Sequence, residues 1–310
     1  MSNRDYKVFN LEDGRPQVLL MGNGLTYETG VPWHELIRKV AKDNMIIEKY
    51  VKRNDSGNFC GFHVPNTVLT LATSQTDDTK RHQKYGEVLK MSEYTPNTWL
   101  KSLLSSPFDA VLTTNYTYEL ESELLLNYPR LSMEGKRKYA YGTSDKRDAK
   151  YLLHTYNRFQ KEQPDIWHIH GELRRPSSII LSHDEYARLT HHILAYNESR
   201  GRDYEKYRNE LKFKSWVDYF LIGDVYVLGL TLDFSEFDLW WLLGRRLRER
   251  AGCGKIIFYE PEKPESHYKQ IALQDAGVDV RSCGITIRNS NDYERFYKLA
   301  IEDIQAQVYK

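Results

Sequence analysis

Short apolar runs recur along the chain, and each one ends at a polar or glycine-containing turn. The runs cover residues 18–21, 110–112, 166–169, 225–228 and 256–259. Runs of this length, without alternating polar positions, are typical of strands that are buried on both faces. Helical patterns follow most of them, and residues 291–308 have apolar positions at helical spacing. The pattern predicts an α/β, Rossmann-like protein, with a mostly parallel sheet covered by helices on both faces.

Three stretches rich in polar and charged residues interrupt this alternation. They cover about 42–95, 130–164 and 184–220. Charge-rich stretches of this kind usually form solvated helices or loops. We therefore interpret them as helical insertions, or as a small subdomain, within a single domain that spans residues 1–310.

Composition and charge narrow the class of protein. The formal net charge is only +1, so nothing indicates a nucleic-acid partner. The three cysteines form no C-x-x-C pair, which indicates reduced thiols and no metal site. No apolar stretch approaches the ~18 residues of a membrane span, and residues 1–17 do not resemble a signal peptide. We expect a cytoplasmic protein.

Polar clusters follow the apolar runs at the carboxyl ends of the predicted strands. Ligands of open α/β sheets bind beyond these ends, so we expect the clusters to converge on one site. The candidate site residues are Gly22, Asn23, Gly24, Thr26, Thr114, Asn115, His170, Gly229, Thr231 and Glu260. The glycines would let the backbone approach a diphosphate closely, although a tight turn between strand and helix explains them equally well.

Other polar residues near the same turns have a structural interpretation. His168 is interpreted as a structural residue of its strand. Glu236 and Asp238 are assigned to the start of a helix over 234–250, where acidic side chains suit the helix dipole.

Four clusters, in order along the chain, resemble the sirtuin family. Residues 22–32 resemble its G-A-G-[IL]-S-x-x-[SA]-G-I-P signature, and residues 113–117 resemble T-Q-N-[IY]-D. The pair His170-Gly171 resembles the catalytic H-G, and residues 229–231 resemble G-[TS]-S. The T-T-N-Y and H-I-H-G-E variants are most similar to sirtuin-like domains of bacterial antiphage defence proteins, which mostly cleave NAD.

The chain also departs from the deacylating sirtuins. It has no pair of C-x-x-C motifs for a zinc ribbon, and the arginine of P-D-F-R is missing after Pro32. Thr117 takes the position of the aspartate that helps to hold the nicotinamide amide. The absence of the zinc ribbon argues against lysine deacylation, whereas the exchange at Thr117 and the missing arginine favour a module that binds a nucleotide without turnover.

The resemblance implies an NAD glycohydrolase that releases nicotinamide and ADP-ribose. His170 would act as the general base, and Asn115 would hold a water molecule or the ribose hydroxyls. Thr26 and the glycine turn would hold the phosphates, while Thr231 and Glu260 would line the adenosine half.

Two alternatives remain open, together with the question of control. The pocket could bind NAD, ADP-ribose or another nucleotide without turnover and so regulate assembly with a partner. Transfer of ADP-ribose to a protein is a further possibility. The resemblance also implies a role in antiphage defence, an oligomer, and a separate sensor or activator protein, because uncontrolled NAD cleavage is toxic.

Overall fold

The structure is a computed structural model, which describes the central strands and most of the helices of the protein. The described residues are 7–25, 39–40, 52–53, 59–60, 69–71, 73–74, 77–89, 98–127, 156–157, 164–173, 175–249, 252–263 and 266–309. Most of the predicted insertion at 130–164, and much of that at 42–95, lie outside these ranges.

A seven-stranded sheet forms the centre of the protein. Its strands are β2 (Gln17–Met21), β5 (Ala110–Thr113), β6 (Tyr156–Asn157), β7 (Asp165–His168), β9 (Asp224–Leu228), β10 (Ile256–Tyr259) and β11 (Asp279–Arg281). Their order across the sheet is β11-β10-β9-β2-β5-β7-β6. All neighbouring strands are parallel except β6, which pairs antiparallel with β7. The predicted α/β class with a mostly parallel sheet is confirmed.

The order in which the chain visits these strands defines where a ligand would bind. From β2 the chain moves outward through β5 and β7, and then crosses to the other side of β2 to form β9, β10 and β11. This is the doubly wound arrangement, whose crevice opens where the strand order reverses. In this protein the reversal falls between β2 and β9.

In the part of the chain that the structure describes, nine α-helices surround the sheet. They are α1 (Asp78–Val88), α2 (Thr98–Leu104), α3 (Glu119–Asn127), α4 (His183–Arg200), α5 (Asp203–Lys206), α6 (Trp216–Ile222), α7 (Phe237–Arg246), α8 (His267–Asp275) and α9 (Ser290–Val308). Two further strand pairs, β1 (Val8–Phe9) with β8 (Leu211–Lys212) and β3 (Lys52–Arg53) with β4 (Phe59–Cys60), lie outside the central sheet. The 184–220 segment contains most of α4, all of α5, strand β8 and most of α6.

The core has two layers because alternate residues of each strand point to opposite faces of the sheet. Val18 and Leu20 of β2 pack in the cluster that includes α4, α6 and α7. Leu19 and Met21 pack in the cluster that includes α2, α3 and α9. Burial on both faces explains why the strands appear in the sequence as continuous apolar runs.

Polar caps fix where several of these helices begin. The Ser215 and Asn289 side chains accept hydrogen bonds from backbone N–H groups at the starts of α6 and α9, and Asp77 does the same for α1. Helix α7 begins at Phe237, three residues later than the sequence pattern predicts. No helix within the described ranges is long and apolar enough to cross a membrane.

Candidate functional site

The strand register brings the polar clusters to one edge of the sheet. Met21 pairs with Thr113 and with Leu228, Thr113 pairs with His168, and Val227 pairs with Phe258. Asn115 and His170 each follow a paired residue, Thr113 or His168, by two positions, in the turns beyond the neighbouring strands β5 and β7. Gly22, Thr114, Gly229 and Glu260 directly follow strands β2, β5, β9 and β10 at the same edge.

The glycine turn after β2 packs directly against the end of β9. The N–H groups of Gly22 and Gly24 donate to the carbonyls of Leu228 and Gly229, at 3.2 and 2.8 Å. A Cβ atom on Gly22 would lie 2.5 Å from the Gly229 oxygen, and one on Gly24 would lie 2.8 Å from the Gly229 Cα. These glycines are thus required by the close approach of two strand ends, at the crevice where the strand order reverses.

The same turn is partly accessible to solvent. Asn23 and Gly24 are half-buried, while Gly22 is buried. The N–H groups of Gly22 and Gly24 are engaged by β9, so these two donors do not point to a diphosphate in this conformation. Thr26, which we also predicted to hold phosphate, lies outside the described residues.

A compact turn after β5 carries Asn115. The Asn115 N–H donates to the Thr113 hydroxyl at 3.0 Å, and the Thr114 N–H donates to the Met21 carbonyl at 3.2 Å. Asn115 is 8 % exposed and Thr114 is half-buried. The turn is therefore tied both to its own strand and to β2, which carries the glycine turn.

His170 lies in the turn after β7 and is 2 % exposed. Its Nε2 atom lies 3.0 Å from Oδ2 of Asp238, in the first turn of α7, and the Tyr186 ring contacts it edge-on at 5.3 Å. The next residue, Gly171, has a φ of +91°, and a side chain there would collide with the Ser178 backbone. The H-G pair thus combines a buried imidazole with a backbone conformation that favours glycine.

Two carboxyl groups determine the electrostatic environment of His170. Burial lowers the pKa of His170, but Asp238 and Glu236 outweigh this effect, so the net pKa is raised above 6.5. Burial also raises the pKa of Glu236 to about 8. Oδ1 of Asp238 and Oε2 of Glu236 are buried and make no hydrogen bond within the described part of the chain. Acidic oxygens therefore surround one side of the imidazole.

A second buried histidine, His168, contacts the backbone of Asn115. His168 contacts the Asn115 carbonyl through Nδ1 at 2.8 Å and the Glu121 carboxylate through Nε2 at 2.7 Å. Burial lowers the pKa of His168, but Glu121 and the Asn115 carbonyl outweigh this effect and raise the pKa from 6.5 to about 9. These contacts agree with the structural role that we expected for His168.

The predicted adenosine half lies at the ends of β9 and β10. Gly229 adopts a φ of +67° and is half-buried, whereas Thr231 is exposed. Glu260 is 5 % exposed, and its Oε1 lies 2.5 Å from Nζ of Lys269, which also donates to the Thr231 carbonyl. Lys269 thus connects two of the predicted contacts, and Glu260 already has a partner.

Sequence reasoning missed three residues around this edge. Asp238 was assigned only to the helix start; it lies there, but its side chain also contacts His170. The other two are Lys269 and Tyr297, whose hydroxyl would lie 2.5 Å from a Cβ on Gly24. Only Asp238 had a usable signal, because a helix that starts just after a strand end presents its first turn to the ligand edge.

Comparison with protein families supports the resemblance that the motifs suggest. A family model described as a SIR2-like domain matches residues 109–280, which is more than half of the 310 residues. The matched segment contains Asn115, His170, Asp238 and Glu260 but not the glycine turn. A search of the curated proteins finds no match. Among the residues that the structure describes, no group of three or more His, Cys, Asp or Glu could hold a metal ion.

Proposed function

The chain belongs to the SIR2-like domain family, and from this premise we propose that it is an NAD glycohydrolase. Water would cleave the bond between nicotinamide and ribose, and the products would be nicotinamide and ADP-ribose. SIR2-like domains use NAD, so an NAD-related function follows from the family itself. The hydrolytic reaction is the part that we add.

One observation carries the proposal. Asn115 and His170 lie in the turns that follow the neighbouring strands β5 and β7, at the edge of the sheet where the glycine turn follows β2. An amide and an imidazole at one edge of the sheet could act on the same ribose, and the crevice beside β2 would accommodate the rest of a dinucleotide.

The chemistry needs few protein groups. Nicotinamide leaves as a neutral molecule, so its departure requires no general acid, and the ribose becomes oxocarbenium-like, as in glycoside hydrolysis. The oxygen of a water molecule then bonds to the anomeric carbon, and one of its protons passes to the His170 imidazole. The Asn115 amide would orient that water molecule or the ribose hydroxyls. The proton is later released to solvent.

The other predicted residues would bind the remainder of NAD. We assign Asn23, Thr26 and Thr114 to the diphosphate, and Gly22 and Gly24 to the close packing that forms the turn. Gly229, Thr231 and Glu260 would line the adenosine half. Because Glu260 pairs with Lys269, a ribose diol would have to share its carboxylate with that ammonium group.

The direct test is to measure nicotinamide release from NAD by purified protein. We expect His170→Ala and Asn115→Ala each to lower the rate by roughly 10²–10⁴-fold, the usual contribution of a general base or an orienting group. His191→Ala removes an exposed histidine of α4 and provides the matched control, with an unchanged rate. Equal rates for the wild type and both site variants would exclude the proposed reaction.

A binding module is the second candidate, and the structure offers an observation that favours it. Thr117 replaces the family aspartate, and His170 is almost completely buried, so a substrate needs some opening of the turn to reach it. In this case the pocket would bind NAD or ADP-ribose without turnover and regulate assembly. Calorimetry that detects tight nucleotide binding, together with no nicotinamide release, would favour the module.

The resemblance also suggests a biological context. We propose that the protein is the effector of a bacterial antiphage defence system, that a separate sensor protein or ligand activates it, and that it works as a homo- or hetero-oligomer. The need for another copy or a partner to open the site would be consistent with the burial of His170. Activity assays with and without candidate partners test this part.

A further inference from the structure

We propose that Asp238 is a positioning residue that selects the tautomer of His170 and so leaves Nδ1 as the basic nitrogen. This inference rests on the proposed function, because it assigns a role within the same reaction. Asp238 is completely buried and hydrogen-bonds His170, so we assign it a role that acts only through the imidazole.

The hydrogen bonds of the imidazole define the tautomer. Nε2 of His170 lies 3.0 Å from Oδ2 of Asp238, and a carboxylate can only accept, so the proton is on Nε2. Nδ1 makes no hydrogen bond to any residue that the structure describes. A neutral histidine with its proton on Nε2 has its lone pair on Nδ1. The geometry therefore assigns the proton-accepting role to Nδ1.

The position of Asp238 in the fold explains how a carboxylate can lie in the core. Asp238 is completely buried, but it is in the first turn of α7, where the positive end of the helix dipole favours a negative charge. Its partner His170 is 68 residues earlier in the chain. When His170 accepts a proton, the buried imidazolium ion and the buried Asp238 carboxylate would stabilise each other as an ion pair.

Two other groups face His170, Glu236 just before α7 and Tyr186 of α4. Burial raises the pKa of Glu236 to about 8. Of these neighbours, Asp238 is the carboxylate that hydrogen-bonds the ring.

The proton balance of the step follows from this arrangement. When the water oxygen bonds to the ribose carbon, one proton moves from that water to Nδ1, and His170 becomes an imidazolium ion. The Asp238 carboxylate stabilises this cation through the existing Nε2 hydrogen bond without accepting the proton itself. Release of the proton from Nδ1 to solvent restores the starting tautomer.

The decisive variant is Asp238→Asn. The asparagine amide can donate to Nε2, which would move the ring proton to Nδ1 and abolish the basic nitrogen. We expect kcat for nicotinamide release to fall on the order of 10²–10⁴-fold, with KM changed less than about threefold. Asp238→Glu keeps the carboxylate and should recover part of the lost kcat. Asp292→Asn, which removes a first-turn carboxylate from α9, controls for a purely helix-stabilising role.

A second measurement does not depend on turnover. The pKa of His170, followed by NMR with labelled histidine and assigned by the signal missing in His170→Gln, should be above 6.5 in the wild type and lower in Asp238→Asn. An unchanged His170 pKa, or an unchanged kcat, overturns the positioning role. If the wild type never cleaves NAD but the pKa falls, the pairing stands and the proposed hydrolysis fails. Should Asp238→Asn not fold, the wild-type pKa and Asp238→Glu decide the question.

Discussion

Two buried histidines, two residues apart at the end of β7, differ in what their second ring nitrogen does. His168 uses both nitrogens, one on the Asn115 carbonyl and one on Glu121. His170 uses Nε2 on Asp238, and its Nδ1 makes no hydrogen bond within the described residues. Both are almost completely buried, and the pKa of each is raised by a carboxylate despite that burial.

This difference distinguishes a structural pair, His168 with Glu121, from a pair that could transfer a proton, His170 with Asp238. A ring with both nitrogens engaged can neither accept nor deliver a proton without breaking a hydrogen bond, so His168 holds the Asn115 turn in place. A ring with one engaged nitrogen is oriented and still has a lone pair available. Burial and a carboxylate partner are therefore not enough to identify a catalytic histidine.

The largest expected effect concerns activity. Replacing His170 with Gln removes the base but leaves an amide that can still bond to Asp238, so the rate of nicotinamide release should fall roughly 10³-fold with little loss of stability. His168→Gln has an amide that can still donate to the Asn115 carbonyl, so this variant, assayed well below its melting temperature, should keep most of the activity. Comparable rate losses in the two variants would remove the distinction between the histidines.

The next effect concerns stability. His168→Gln leaves the buried Glu121 carboxylate without its cationic partner, and breaking a buried ion pair costs about 3–5 kcal/mol. Urea denaturation should show a lower midpoint with a similar slope. We expect Glu121→Gln to be less damaging than His168→Gln, because the amide oxygen can still accept from Nε2. A His168→Gln protein as stable as the wild type would contradict the assigned structural role.

Much of this arrangement could be predicted from the sequence, and the reason is local. Strands β2, β5, β7, β9 and β10 are buried on both faces, so each appears in the sequence as a short continuous run of apolar residues that predicts a strand. Parallel pairing then places every following cluster at one edge. Strand β11 was missed because its exposed and half-buried residues, Asp279 and Arg281 among them, do not form an apolar run.

The partners of the histidines could not be predicted in the same way. An acidic residue in the first turn of a helix already has a sufficient local explanation, so the sequence analysis assigned Asp238 to the helix start alone. Glu121 and His168 are 47 residues apart, and only the packing of α3 beside β7 brings them together. Hydrogen bonds across such separations depend on side-chain geometry, which periodicity does not encode.

The smallest effect, and the finest test of the comparison, is the pH dependence of stability. The pKa of His168 is about 9 in the folded protein, against 6.5 as its ordinary value, so protonated His168 stabilises the fold. A raised pKa means that this contribution is fully present below pH 6.5 and is lost as the pH rises through about 9. The stability difference between the wild type and His168→Gln should therefore shrink, on the order of 1–3 kcal/mol, from pH 6 to about pH 9.5. Glu236, with its pKa of about 8, titrates in both proteins and cancels in this difference. Urea midpoints at several pH values measure the trend, and a constant difference would mean that His168 is neutral in the fold and that its contact with Glu121 is an ordinary hydrogen bond.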